Sequence, residues 1–210
     1  MLFYHESWDI MIIKDHGTHL FPDNTLEILN KSAAQQLKKK YTFQADPFLI
    51  EKDDKLYVFY EAFSFRNSKG TLRCRILDRE LTEIDDVKLE GFDDLRCHLS
   101  FPFLININNQ LFMIPESSER KEVLLFQSVE FPARWKKIKV LLSDTEVTDN
   151  IFLSINETCY LLSTTMDNKI IIHSAEHLHG QWQRITPTLK VSNHHHRGAG
   201  TPYLVDNKMY

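Results

Sequence analysis

Apolar positions along this chain come in short bursts broken by polar turns. The phrase "DPFLI" (Asp46 to Ile50) leads through a polar turn to "LYVFYE" (Leu56 to Glu61). It returns as "FPFLI" (Phe101 to Ile105) and "LFMIPE" (Leu111 to Glu116), with no gap between the two halves. A third copy opens at Asp149 with "DNIFLSINETCYLLST". A fourth opens at Thr201 with "TPYLV" and has a shortened turn before Lys208-Met209-Tyr210. Each copy is an apolar, β-branched or aromatic run, a turn of Asn, Asp, Glu or Lys, and a second such run, which predicts a β-hairpin. Recurrence at roughly 50 residues predicts a repeat architecture.

Weaker strand candidates follow the hairpins at Gly70–Asp78, Glu122–Val129 and Lys169–Glu176. Outer strands follow at Trp135–Leu142 and Trp182–Leu189. Four antiparallel strands per repeat is the blade of a β-propeller, so the expected class is all-β. The one helix-like stretch, Asn30–Lys40, is short and polar. Trp8 opens "WDIMII", expected to be the outer strand of a final blade that closes the ring by pairing the two ends of the chain. The chain stops at Tyr210 inside the fourth hairpin, so a five-bladed propeller incomplete at its C-terminus is expected. The expected divisions of this single domain are a closing strand and lead-in at 1–40, blade 1 at 41–96, blade 2 at 97–145, blade 3 at 146–192 and a partial blade 4 at 193–210.

Composition changes this picture little. The chain is 42% hydrophobic and 26% charged with a net charge of −4, an ordinary globular balance. Lys38-Lys39-Lys40 is too short to make a basic face, so nucleic acid is not an expected partner. No apolar stretch is long enough to span a membrane, and "MLFYHESWDIMII" lacks the basic start and long apolar core of a secretory signal. Cys74, Cys97 and Cys159 form no CxxC pair and are expected as buried thiols in a reducing compartment, the cytoplasm.

Propeller geometry locates the candidate chemistry. The first strand of each blade lines the axis and the second runs back beside it, so the start of one and the end of the other share a rim. Asp46, Glu61, Glu116 and Asp149 hold such positions, and His98, Ser100 and Arg197 lie in or beside the lead-in segments. Carboxylates from separate blades around one funnel suit sugar binding, and acid/base cleavage of a glycosidic bond needs two of them. The plainer reading of Asp46 is a turn residue that bonds backbone amides ahead of Pro47. His173, His177 and His179, like His194 to His196, have spacing that could suit a metal, but solvated histidines at a blade edge are the default and no metal or other cofactor is expected. Cys97 and His98 are adjacent on an extended segment and so point to opposite faces, which removes a Cys/His nucleophile. No Gly-rich phosphate loop or nucleophile elbow is present.

The segments "FQADPFLIEKDDKLYVFYEAF", "HLSFPFLININNQLFMIPESSE", "FPARWKKIKVLL" and "HSAEHLHGQW" resemble, over nearly the whole chain, the N-terminal propeller domain of plant glucosamine inositolphosphorylceramide transferases and their bacterial relatives. Some of those relatives are joined to formyltransferase-like or glycosyltransferase modules. The domain is similar to five-bladed arabinanase and β-xylosidase glycosidases. The resemblance implies a carbohydrate-active propeller acting in glycoconjugate assembly, with any transferase chemistry in a separate module, fused or not. It implies that Asp46 matches the general base of those glycosidases and Asp149 the aspartate that tunes the acid. Their acid falls at Gly200, so the proton donor is missing, and Glu116 is the candidate to replace it. The expected ligand is a sugar or sugar-phosphate held by Asp46, Glu61, His98, Ser100, Glu116, Asp149 and Arg197, with Arg197 meeting an anionic group. The alternatives are a glycoside hydrolase using Asp46, Asp149 and Glu116, and a structural scaffold.

Overall fold

A computed structural model describes residues 8–13, 34–66, 68–186, 197–202, 204–205 and 208–209. Three four-stranded antiparallel sheets follow one another along the chain, each with its strands in sequence order. Their strands, numbered after the short N-terminal pair β1 (Met11–Ile13) and β2 (Ala34–Gln36), are β3 (Phe43–Lys52), β4 (Lys55–Ser64), β5 (Lys69–Leu77) and β6 (Glu83–Lys88); β7 (Ser100–Ile107), β8 (Gln110–Glu116), β9 (Val123–Glu130) and β10 (Arg134–Leu142); and β11 (Val147–Ile155), β12 (Thr158–Thr165), β13 (Ile170–Ala175) and β14 (Gln183–Ile185). A last pair, β15 (Leu204–Val205) and β16 (Lys208–Met209), belongs to the fourth copy of the repeat.

The polar turns of the repeat have a shared backbone geometry. Asp53-Asp54, Asn108-Asn109 and Asn156-Glu157 all have positive φ at both residues. Each pair sits in a two-residue hairpin, between Lys52 and Lys55, Ile107 and Gln110, and Ile155 and Thr158. That is the mirror-image turn whose twist matches the strands it joins, and Asn and Asp tolerate it best.

Strand β4 is apolar along most of its length because both its faces are buried. Tyr57 and Phe59 point into a core shared by all three sheets, with Phe103, Leu124, Trp135 and Phe152. Val58, Tyr60 and Ala62 point the other way, against Ile10, Ile12 and Leu37. Trp135 stands edge-on to Phe59 at 5.9 Å and donates Nε1–H to the Pro132 carbonyl at 2.9 Å, fixing the outer strand of one sheet against the previous one. Truncating a ring as buried as Phe59 costs about 3–5 kcal/mol. One charged side chain, Arg75, is fully buried, between Gln44, Tyr60, Glu83 and Asp86.

Several expectations change here. Within the helix-like stretch Asn30–Lys40, residues 34–36 form a strand: an isolated helix that short is marginal, whereas β2 gains β1 and a bond from Gln35 Nε2 to the Leu81 carbonyl at 2.9 Å. The N-terminal strand β1 pairs antiparallel with β2 along one edge. The outer strand β6 had no apolar run to announce it, because half-exposed "EIDDVK" has little to bury. The end of the expected strand Trp182–Leu189 and the triplet His194–His196 lie outside the described residues. All three cysteines are buried and none is in a disulfide. Among the described residues no helix is long and apolar enough to cross a membrane.

Candidate functional site

Each inner strand breaks register at the same place. The ladder skips two residues at Asp46-Pro47, at Phe101-Pro102 and at Asp149-Asn150. The first residue of each pair is left-handed, with φ of 51°, 44° and 49°. Such a bulge bends the strand and redirects a side chain that would otherwise stay in the pleat. The second strands end at the same rim, where Glu61 lies opposite Ala45 and Glu116 opposite Ser100. A residue directly opposite another shares its face of the sheet, so Ser100 lies on the face that carries Glu116.

These side chains link one sheet to the next. Asp46 Oδ2 accepts the Phe101 amide at 3.2 Å, and Glu116 Oε2 accepts the Asp149 amide at 3.4 Å. The Glu116 Oε1 atom accepts the Ser118 hydroxyl at 3.3 Å. His98 bridges the first two sheets: its Nδ1 accepts the Gly70 amide at 3.0 Å, and its Nε2 lies 3.2 Å from Glu61 Oε1. The bond from Gly70 assigns the proton to Nε2, which donates to Glu61. Arg197 forks onto Asp149, Nε to Oδ2 at 2.7 Å and Nη2 to Oδ1 at 2.9 Å. Gly198 lets that segment come close, since a Cβ there would lie 2.8 Å from Ile151 Cδ1 and 3.0 Å from Asp149 Cβ.

The electrostatics follow from packing acids together out of water. Burial, then the neighbouring Glu61 carboxylate, pushes Asp46 up to about 6. Burial and then Asp149 raise Glu116, against the pull of Arg197 and His98. His98 is raised mainly by its bond to Glu61, although its second proton would have to displace the Gly70 amide from Nδ1. Asp149 is itself buried, with the largely exposed guanidinium of Arg197 as its counter-ion. Beside this pair a cleft of about 270 Å³ opens, walled by Ile151, Leu162 and Ile170 of the third sheet and by residues 197–202.

All seven residues singled out in the sequence therefore lie at one end of the sheets. Arg197, expected to meet an anionic group, has its Nε and Nη2 bonded to Asp149. One expectation outside these seven needs correcting. His173 was expected to be solvated; it is buried in β13 with Nδ1 lacking a hydrogen bond, and burial lowers its pKa. Among the described residues no three His, Cys, Asp or Glu side chains are placed to hold a metal ion. At Gly200 an added Cβ would meet nothing within 4 Å, so the position matched to the glycosidase acid faces open space. Sequence reasoning missed Gly70, whose absent Cβ makes room for Glu61 and His98, and Glu119, which accepts the His98 amide at 3.2 Å. The scarcity of glycine, six in the chain, was the available signal for Gly70.

The profile of the family described as glucosamine inositolphosphorylceramide transferase 1, N-terminal, matches residues 15–210. Glucosamine inositolphosphorylceramide transferase 1 of Arabidopsis thaliana is 38% identical over 111 residues, which are 52% of this chain and 14% of that protein. The catalytic domain of the Coprinopsis cinerea GH62 α-L-arabinofuranosidase superposes with a TM-score of 0.55 at 10% identity, covering 67% of this chain and 49% of that one. The Bacteroides ovatus xyloglucan PUL GH43B superposes at 0.52 with 15% identity, covering 70% and 30%. At such identities the likeness shows the fold, a propeller-like stack of four-stranded blades. The chain belongs to the glucosamine inositolphosphorylceramide transferase 1 N-terminal family.

Proposed function

We propose that this family member is a glycan-recognition module whose rim funnel takes a sugar or sugar-phosphate during glycoconjugate assembly, with no transferase chemistry of its own. In this reading the three complete sheets are successive blades of a five-bladed ring. The observation that carries it is the convergence of Asp46, Glu61, Glu116 and Asp149, supplied by three successive sheets, around one rim. Ionised carboxylates accept hydrogen bonds from sugar hydroxyls. Carboxyls raised as Asp46 and Glu116 are also hold a proton more readily, so the rim can donate as well as accept. Arg197 then acts first as the clamp that orients Asp149, and only its remaining edge is available to an anionic group.

A second reading, a glycoside hydrolase with Asp46 as base, is favoured by one observation. Glu116, raised by burial and by Asp149, is a carboxyl able to bring a proton to the rim that Gly200 does not supply. Titration of the chain with methyl glycosides, sugar phosphates and aryl glycosides, following both heat and aryl release, separates the two. Binding without release, weakened in Asp46→Asn, supports the recognition module. Release that vanishes in Asp46→Asn replaces it with the hydrolase. Silence in both channels leaves a scaffold.

A further inference from the structure

Three phenylalanines stand just outside the carboxylates, and the funnel's chemistry does not use them. Alternation along β4 puts Glu61 and Phe63 on the same face, and two residues of strand carry Phe63 about 7 Å farther out toward the rim. Phe43 lies opposite Phe63 in the ladder, with ring centroids 5.3 Å apart. Phe65 closes the cluster at 5.7 Å from Phe43 and 5.6 Å from Phe63. The His98 ring, bonded to Glu61, lies 6.0 Å from Phe63, so carboxylates and rings form one continuous surface.

We propose that Phe43, Phe63 and Phe65 form a stacking platform for a second sugar unit, attached to the one whose hydroxyls engage Asp46 and Glu61. The inference rests on the reading of the rim as a sugar site. A ring serving only to brace the β4–β5 turn would be buried, yet Phe65 is 53% exposed. A pyranose offers an apolar face of C–H groups to an aromatic ring and hydroxyls at its edge, which suits rings set beside carboxylates. The occupant is a sugar and not a lipid chain, because charge borders the cluster at once: Arg66 follows Phe65, and Lys69 stands opposite Ser64, the residue between Phe63 and Phe65. A long apolar tail would have no continuation there.

The test compares methyl glycosides of xylose, arabinose, galactose and glucosamine with the matching disaccharides and with the octyl glycosides, by calorimetry on the wild-type chain, Phe65→Ala and Phe65→Trp. The expected result is a disaccharide that binds roughly tenfold tighter than its methyl glycoside, the gain from covering one sugar face. Phe65→Ala abolishes that increment and leaves methyl glycoside affinity unchanged, and Phe65→Trp keeps it. A disaccharide gain that survives Phe65→Ala, or no gain at all, overturns the platform while the rim site stands. A gain for octyl glycosides alone overturns the sugar as occupant. Failure of every glycoside to bind overturns the rim reading and the platform with it.

Discussion

Replacing Asp46 by Asn should stabilise the protein at neutral pH and do nothing for it in acid. The carboxyl is raised from 3.8 to about 6, chiefly by burial and then by the Glu61 carboxylate. Between those values the folded chain holds a proton that the unfolded chain has released. Stability therefore falls as pH rises through that window and levels off above it. The full shift corresponds to a ceiling of about 3 kcal/mol at 1.4 kcal/mol per pH unit. Partial exposure of the group and relaxation around it reduce the expected gain to roughly 1–2 kcal/mol. Asn removes the charge while keeping the rest: its carbonyl can accept the Phe101 amide now held at 3.2 Å, and it tolerates the φ of 51°. Urea unfolding of both proteins at several pH values from 4 to 8 measures the difference, in which the common titration of Glu116 largely cancels. The variant should match wild type near pH 4 and exceed it above pH 7. A difference that stays flat across pH, or a variant less stable at pH 8, would refute the account of Asp46 as a carboxylate held at a cost in stability.

Gly70→Ala should be costly although no left-handed backbone is involved, because the new Cβ would lie 2.5 Å from Glu61 Oε1 and 2.6 Å from the Leu99 carbonyl. Overpacking of this kind costs about 1–3 kcal/mol, and a thermal melt should show a midpoint lower by several degrees, with sugar binding weakened alongside. Arg197→Met leaves the buried Asp149 carboxylate without its fork; since the arginine is largely exposed, roughly 1–2 kcal/mol should be lost in urea unfolding. Arg197→Lys should recover part of that loss, because it restores the charge but not the paired geometry.

The repeat was legible because each hairpin needs the same things in the same order. These are an apolar inner strand, a turn tolerant of positive φ and a second strand buried on one or both faces. Those demands fall on neighbouring residues, so they leave a pattern in the chain at Asp46–Glu61, Phe101–Glu116 and Asp149–Thr164. The rim positions of the acids followed, since strand polarity alone puts Asp46 and Glu61 at the same end. The first sheet's outer strand, Glu83–Lys88, was not legible, because a half-exposed edge without an apolar run imposes little on composition.

What each acid does at the rim was decided by contacts between residues far apart in sequence. Asp149 meets Arg197, which engages two of the guanidinium's nitrogens within the protein. Phe101 fills the second blade's bulge with an apolar ring, and its amide becomes the donor that holds Asp46. Gly70 matters only because His98 and Glu61 arrive from other strands to occupy the space of its missing Cβ. A strand's periodicity is a local property and survives in one dimension. Burial, charge pairing and close approach depend on which blade packs on which, and those distances exist only once the sheets are stacked.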